Sequence, residues 1–221
     1  MKIVQRPSPN HDERGGAGVD MLVLHYTGMK TAQAALDRLC DPAAKVSAHY
    51  TLDEDGTVYA LVPEARRAWH AGVSFWAGVS NVNARSIGIE LVNPGHEFGY
   101  RPFPEAQIAA LITLCQGILS RHPVPATRVL GHSDVAPTRK EDPGELFPWK
   151  RLAEEGIGLW PEWIESGLDP DALTRFGYDP EAPRDKVIIA FQRHFRPQKL
   201  GGEWDGECAG LLAWLLRTTG V

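Results

Sequence analysis

The chain has 221 residues, enough for one sizeable hydrophobic core or for a medium domain beside a small one. Its composition, with 43% hydrophobic and 23% charged residues, is ordinary for a globular protein. The net charge of -5 gives no electrostatic reason to expect a nucleic acid or an anionic membrane as partner. No apolar run is long enough to predict a membrane span.

Residues 1–7 lack the apolar core of a secretory signal, so we expect the chain as written to be cytoplasmic. A periplasmic or outer-membrane-associated protein trimmed of its leader or lipid anchor would carry the same sequence. The three cysteines show no Cys-x-x-Cys spacing, which predicts buried free thiols and no disulfide framework: Cys40, Cys115 and Cys208.

From about residue 20 to residue 149 the apolar pattern alternates between strand and helix periods, which predicts an α/β fold. Gly56 ends an acidic turn between two apolar segments and therefore predicts a β-hairpin there. Strands are predicted at 21–26, 48–52, 57–61, 86–92 and 128–131, and helices at 31–39 and 104–120.

Beyond Trp149 the composition changes, with glycines and prolines in a connector followed by three short helical patterns. These patterns cover 170–176, 183–195 and 205–217. About fifty residues form only a marginal core alone, so we expect a compact helical unit docked on the first part. The predicted division is a domain over 1–155, a connector over 156–168 and a small three-helix domain over 169–221.

The most informative segment is the loop 131–144, which directly follows a short apolar strand. It contains His132, Lys140 and Asp142, which offer an imidazole, an ammonium and a carboxylate. Imidazole and carboxylate groups bind zinc, and a nearby cation can stabilise developing negative charge. Alone, however, the loop supplies only two ligands.

Strand alternation supplies further polar groups, because side chains in a strand point to opposite faces with period two. In the first strand His25 lies on the face opposite Leu22 and Leu24, and in a later strand Glu90 lies beside Gly88. Two histidines and one carboxylate match a catalytic zinc site that keeps its fourth position for water. Glu90 is then left over as the base.

Each of these residues also has an ordinary structural explanation. Glu90 could be a solvated strand end, Lys140 a loop charge and Asp142 a turn residue before a proline. His49 is better explained as a hydrogen-bonding core histidine beside the site, and His70 as a residue that lines the cleft. The remaining histidines have no evident partner and are interpreted as structural: His11, His96, His122 and His194.

Five motifs occur along the chain in one order: Leu24–Thr27, Ser47–Tyr50, Ala68–Gly72, Asn83–Glu90 and the loop 131–144. In combination they resemble the zinc-dependent N-acetylmuramoyl-L-alanine amidases, a bacterial family that shares its fold with peptidoglycan-recognition proteins. The resemblance covers roughly residues 9–149 and implies a mixed central β-sheet flanked by helices. The helical tail is similar, over a shorter match, to small three-helix peptidoglycan-binding domains.

By this resemblance His25, His132 and Asp142 are the ligands of one Zn²⁺ ion per chain. Glu90 is the catalytic glutamate and Lys140 the catalytic lysine. The implied reaction is hydrolysis of the amide bond between N-acetylmuramic acid and L-alanine, in peptidoglycan or muropeptides.

From their position in the cleft-forming loop, we expect four residues to contact the sugar or the peptide of the substrate; the alternative is that they belong to the core: Trp69, His70, Trp76 and Asn83. A non-catalytic peptidoglycan-recognition protein of the same fold is the alternative function, but none of the five reaction residues is altered here. A structural zinc protein is least favoured, because a closed zinc site takes a fourth protein ligand.

Overall fold

Eight strands and nine α-helices lie within residues 2–221, the part of the chain that this computed structural model describes. The strands are β1 (Ile3–Gln5), β2 (His11–Glu13), β3 (Met21–Tyr26), β4 (Tyr50–Leu52), β5 (Val58–Ala60), β6 (Arg66–Ala68), β7 (Ser86–Leu91) and β8 (Val129–Gly131). The helices are α1 (Ala32–Cys40), α2 (Val82–Arg85), α3 (Gly95–Phe98), α4 (Glu105–Arg121), α5 (His132–Val135), α6 (Trp149–Glu154), α7 (Leu173–Phe176), α8 (Arg184–Phe195) and α9 (Gly206–Thr219).

Six strands form one mixed sheet in the order β1-β5-β4-β7-β3-β8. Every neighbouring pair in it is parallel except β4 and β5, which form the predicted hairpin with Gly56 at a φ of +85°. Strands β2 and β6 form a separate antiparallel pair. The predicted α/β fold with a mixed central sheet is confirmed.

Strand β3 is apolar on both faces because helices cover both sides of the sheet. On one face Leu22 and Leu24 pack in a cluster with residues of α4, among them Leu111 and Cys115. Each fully buried aliphatic side chain of this kind contributes about 1.5–3 kcal/mol through the hydrophobic effect. Helix α4 therefore holds one face of the sheet.

The tail helices α7, α8 and α9 cover the opposite face of the sheet. Phe176, Phe191 and Leu212 share one cluster with Met21 and Val23 of β3. The expected docking of the helical tail is therefore present, and its apolar faces continue the core of the sheet. No helix or strand lies between α6 and the 3₁₀ turn at Pro170–Ala172, in the region of the predicted connector, whose boundaries stay a prediction.

Within residues 2–221, no helix combines the length and the apolar character that crossing a membrane requires. All three cysteines are free, as predicted. Cys115 and Cys208 are buried, but Cys40, at the end of α1, is partly exposed and so departs from the prediction of buried thiols.

Candidate active site

Three parallel strands bring the candidate residues to one edge of the sheet. His25 on β3 and Glu90 on β7 are direct partners in the parallel register, and His132 follows β8 immediately. Because the carboxyl ends of parallel strands meet at the same edge, these side chains share one cleft. The predicted position of His25 and Glu90 at neighbouring strand ends is confirmed.

Three ligand atoms converge at this edge. The Nδ1 atoms of His25 and His132 lie 2.9 Å apart, and each lies 3.0 Å from Oδ2 of Asp142. All three side chains are buried. The backbone N–H of Ser133 donates to the carbonyl of Asp142 at 2.9 Å, which ties the start of the loop to its end. This hydrogen bond fixes the distance between His132 and Asp142, the two of these three residues that the loop contributes.

Burial sets the ionisation state of this group. It lowers the pKa of His25 to about 4, assisted by the neighbouring His132, so His25 is neutral at pH 7. Burial alone would raise the pKa of Asp142, but the two histidines outweigh it and hold that pKa well below its usual range. The site thus offers a neutral imidazole of His25 and an ionised carboxylate.

The donor set fits a metal ion. Nε2 of His132 lies 3.1 Å from the carbonyl oxygen of Ala71, which can only accept, so this nitrogen carries a proton. Nδ1 of His132 is the ring nitrogen that faces Asp142 and His25. Two imidazoles with one carboxylate are common ligands of transition metals, and here one atom of each side chain converges on the same place.

Glu90 and Lys140 lie in the same cleft as the ligand group. The cleft has a volume of about 270 Å³, and its walls include both residues together with His132 and Asp142. Oε2 of Glu90 is shielded from solvent and has no hydrogen-bond partner among residues 2–221. Burial and the charge of Asp142 raise the pKa of Glu90 well above its ordinary value, while Lys140 opposes the shift. A carboxyl group with a raised pKa is a stronger base than an exposed carboxylate, which suits it to accept and release a proton in a reaction.

Trp69 and Trp76 have different environments, although both were predicted to contact substrate. Trp69 is partly exposed and lines the cleft, so its substrate contact stays a prediction. The prediction for Trp76 is wrong, because its side chain is only 1% exposed and packs edge-on against Phe176 and Tyr178 of the tail. An apolar ring at the tip of this loop is used to dock the tail helices.

His70 and Asn83 were predicted to bind substrate, but their polar atoms are used inside the protein. Nδ1 of His70 lies 3.0 Å from Nε2 of His25, and its Nε2 lies 3.1 Å from Oγ of Ser86. Oδ1 of Asn83 accepts from the backbone N–H groups of His70 and Ala71, at 3.1 and 2.9 Å. His70 and Asn83 therefore support the segment beside His25 and His132, and their contact with substrate stays a prediction.

The structural role predicted for His49 is confirmed. Its side chain is fully buried, and Nδ1 accepts from the backbone N–H of Gly88 at 3.0 Å. Arg14 and the carbonyl of Arg66 contact its other ring nitrogen. This histidine therefore holds the strands together beside the site and is not part of the ligand group.

Sequence reasoning missed a buried network centred on Asp134, two residues after His132. Its carboxylate accepts from Tyr178 Oη, from the backbone N–H of Gly131 and from His194 Nδ1, each at 2.7 Å. Ser86 was also missed, although the alternation of β7 places it on the same face as Gly88 and Glu90.

The interpretation of four histidines as residues without partners is wrong. Nε2 of His122 lies 2.8 Å from Glu64, and His96 lies 3.1 Å from Glu145. His11 contacts Arg66, and His194 is part of the network of Asp134. All four contacts join residues at least 49 positions apart in the chain, so local sequence carried no signal for them.

The fold and the site define a class of hydrolase in which a His-His-Asp group, a buried glutamate and a lysine share one cleft at a sheet edge. Comparison with known proteins gives the family: residues 15–145 match the family model described as N-acetylmuramoyl-L-alanine amidase. The chain belongs to this family, and the resemblance stated from its motifs is confirmed.

Three relatives are similar to this chain. The N-acetylmuramoyl-L-alanine amidase AmiD of Escherichia coli (strain K12) is 38% identical, covering 91% of this chain and 84% of AmiD. A structure of AmiD with the substrate anhydro-N-acetylmuramic acid-L-Ala-D-γ-Glu-L-Lys matches with a TM-score of 0.82 at 37% identity, covering 93% of this chain and 92% of that one.

AmpDh3 from Pseudomonas aeruginosa, in complex with anhydromuramic pentapeptide, matches with a TM-score of 0.83 at 35% identity and covers 97% of this chain and 96% of that one. The 1,6-anhydro-N-acetylmuramyl-L-alanine amidase AmpD of Enterobacter cloacae is 36% identical and covers 66% of this chain and 86% of AmpD. AmiD and AmpDh3 therefore match nearly the whole chain, including most of the helical tail, whereas AmpD matches a shorter part.

Proposed function

We propose that this chain is a zinc-dependent amidase that hydrolyses the bond between N-acetylmuramic acid and L-alanine in muropeptides or peptidoglycan. The observation that carries the proposal is the convergence of His25, His132 and Asp142 beside a cleft whose walls include Glu90 and Lys140. A binding protein of the same fold would not need this complete set. The relatives crystallised with anhydromuropeptides support the substrate class.

Zn²⁺ suits the proposed site because two imidazoles and one carboxylate are a common catalytic zinc set. Nδ1 of His25, Nδ1 of His132 and Oδ2 of Asp142 would hold the ion. When bound, zinc supplies Lewis acidity and lowers the pKa of water to about 7. The three ligands leave a position for water, since no fourth protein ligand joins them among residues 2–221.

Glu90 is the proposed proton carrier. Its raised pKa lets it take a proton from the attacking water and deliver that proton to the leaving amine of L-alanine. Oε2 has no protein partner within residues 2–221, so this oxygen is free for the transfer. The protein therefore supplies both the acid and the base with one residue.

Lys140 is the proposed electrophilic partner of the substrate carbonyl. Its ammonium would stabilise the negative charge that develops on the carbonyl oxygen as the amide is attacked. One such donor contributes on the order of 3 kcal/mol to the transition state. Trp69, on the cleft wall, offers an aromatic face on which a sugar can stack.

The test is Glu90→Gln, which keeps the shape of the side chain but removes its acid–base function. We expect zinc content to stay at one ion per chain, while turnover of purified muropeptides, read by mass spectrometry, falls by about 10²- to 10⁴-fold. Glu141→Gln, next to Lys140 but exposed, is the matched control and keeps its turnover. Full activity of Glu90→Gln would overturn its role, and chelator-resistant turnover of the native protein would overturn the proposed zinc dependence.

A further inference from the structure

The motif Trp69–Gly72 lies against the metal ligands. His70 is buried, and its ring packs edge-on against that of His25 with the ring centroids 5.0 Å apart. The ring occupies the space above Gly88, where a Cβ atom would lie 2.4 Å from Cγ of His70. A side chain held this tightly, next to a ligand, is placed to orient that ligand.

Hydrogen-bond chemistry fixes where the protons lie, starting from Ser86. Its hydroxyl lies 2.7 Å from the carbonyl oxygen of Val82, which can only accept, so the hydroxyl hydrogen is committed there. Ser86 Oγ must then act as the acceptor toward Nε2 of His70, 3.1 Å away. His70 therefore carries a proton on Nε2.

The same reasoning continues to the ligand. A neutral imidazole carries one proton, and in His70 the contact with Ser86 places that proton on Nε2, so Nδ1 is a lone pair. That lone pair faces Nε2 of His25 at 3.0 Å, so His25 must donate from Nε2. Nδ1 of His25 is then left unprotonated, and this is the atom that points at His132 and Asp142.

We propose that His70, backed by Ser86, is a positioning residue that fixes the tautomer and the ring orientation of His25 for metal binding. Metal-binding histidines are usually oriented through their second ring nitrogen by a carboxylate or a carbonyl, and here a second histidine takes that place. The proposal rests on the proposed zinc function.

The neighbouring backbone orients the other ligand in the same way. The carbonyl of Ala71 accepts from Nε2 of His132 at 3.1 Å, and Asn83 holds the backbone N–H groups of both His70 and Ala71. One short segment therefore sets the tautomers of both histidine ligands. These contacts with His25 and His132 are a sufficient reason for His70 to occur in the segment Trp69–Gly72, without any contact with substrate.

Two substitutions of His70 separate positioning from simple packing. His70→Leu fills similar space but offers no acceptor, and we expect the zinc dissociation constant to rise roughly 10- to 100-fold. His70→Asn places Oδ1 near the position of Nδ1 and restores an acceptor, so we expect it to stay within about fivefold of the native affinity. Affinity is measured by competition with a chromophoric chelator on the full chain.

His49→Leu is the control, because it removes a buried imidazole that packs edge-on against His70 but contacts none of the three proposed ligands. We expect it to lower the thermal stability while leaving zinc affinity unchanged. An effect of His49→Leu as large as that of His70→Leu would show that general core disruption, and not ligand positioning, causes the loss.

A direct measurement on the native protein needs no variant. In ¹⁵N-labelled zinc-loaded protein, we expect His70 to be protonated at Nε2 and a through-hydrogen-bond ¹⁵N–¹⁵N coupling to join its Nδ1 to Nε2 of His25. A protein that binds zinc but lacks this coupling, or whose His70→Leu variant keeps native affinity, would overturn the positioning role. Failure of the native protein to bind zinc would instead overturn the proposed function.

Discussion

Gly88 shows how a single missing Cβ atom shapes the site. The residue lies in the middle of β7, where ordinary strand geometry would accept any side chain. A Cβ atom there would lie 2.4 Å from the His70 ring, so glycine is required by the close approach of the histidine. The absence of a side chain at Gly88 therefore leaves the room in which His70 contacts His25.

We expect Gly88→Ala to displace His70 and to weaken zinc binding about 10-fold or more, because the hydrogen bond to His25 is lost. Overpacking should also lower the free energy of unfolding by about 1–3 kcal/mol. Gly117→Ala in α4 is the control: its Cβ meets only the flexible end of Arg121, and the change should stabilise the helix by up to about 1 kcal/mol. Chelator competition and urea unfolding measure both effects, and native zinc affinity in Gly88→Ala would contradict the expectation.

The residues that meet at the candidate site could be predicted to lie together because each follows a local pattern. His25 and Glu90 lie at strand ends on the face set by alternation, and the loop after β8 carries its own polar residues. Trp76 could not be assigned, because a tryptophan in a loop looks the same whether it faces a cleft or the tail helices. The role of His70 depends on Ser86, 16 residues away, and that contact exists only in the fold.

At the scale of elements, Glu64 joins three parts of the chain. Its carboxylate accepts from Tyr50 on β4 at 2.8 Å and from Arg121 at the end of α4 at 2.7 Å, and His122 lies 2.8 Å away. Burial alone would raise the pKa of Glu64, but these three hydrogen bonds outweigh it and lower the pKa from 4.5 to about 2. Glu64 therefore connects helix α4, which covers one face of the sheet, to strand β4 of the hairpin.

This shift predicts a pH dependence of stability. Because the folded pKa of about 2 lies below the unfolded value near 4.5, the carboxylate stabilises the fold above pH 4.5. That contribution is lost as the pH falls from about 4.5 to 2. Glu64→Gln should lower the free energy of unfolding by on the order of 2 kcal/mol at pH 7 and by much less at pH 2.

Urea unfolding of the native chain and of Glu64→Gln at a series of pH values tests this prediction. Glu105→Gln, which removes an exposed ion pair with Arg151, is the control and should change stability little at any pH. An equal loss for Glu64→Gln at pH 2 and pH 7 would mean that the carboxylate charge does not stabilise the fold.

For the whole molecule, the tail is part of the core that supports the site. Asp134 lies in the short helix that begins with His132, and its side-chain partners Tyr178 and His194 belong to the tail. The His194 ring also stacks on Trp149 with the centroids 3.8 Å apart. Helical periods indicated that the tail would dock, but not where, because the partners of Asp134 are 44 and 60 residues away.

Tyr178→Phe tests this coupling with the loss of one oxygen atom. The change leaves a buried Asp134 oxygen without its donor, so we expect the free energy of unfolding to fall by about 1–3 kcal/mol. Tyr59→Phe is the control, because Tyr59 on β5 is partly exposed, and its effect should stay within about 0.5 kcal/mol.

The tail and the sheet share one apolar cluster. The native protein and the Tyr178→Phe variant should therefore each unfold in a single transition, in which the calorimetric enthalpy equals the van't Hoff enthalpy. Two separate transitions, or a Tyr178→Phe protein as stable as the native one, would show that the tail folds as an independent unit and does not hold the loop of His132.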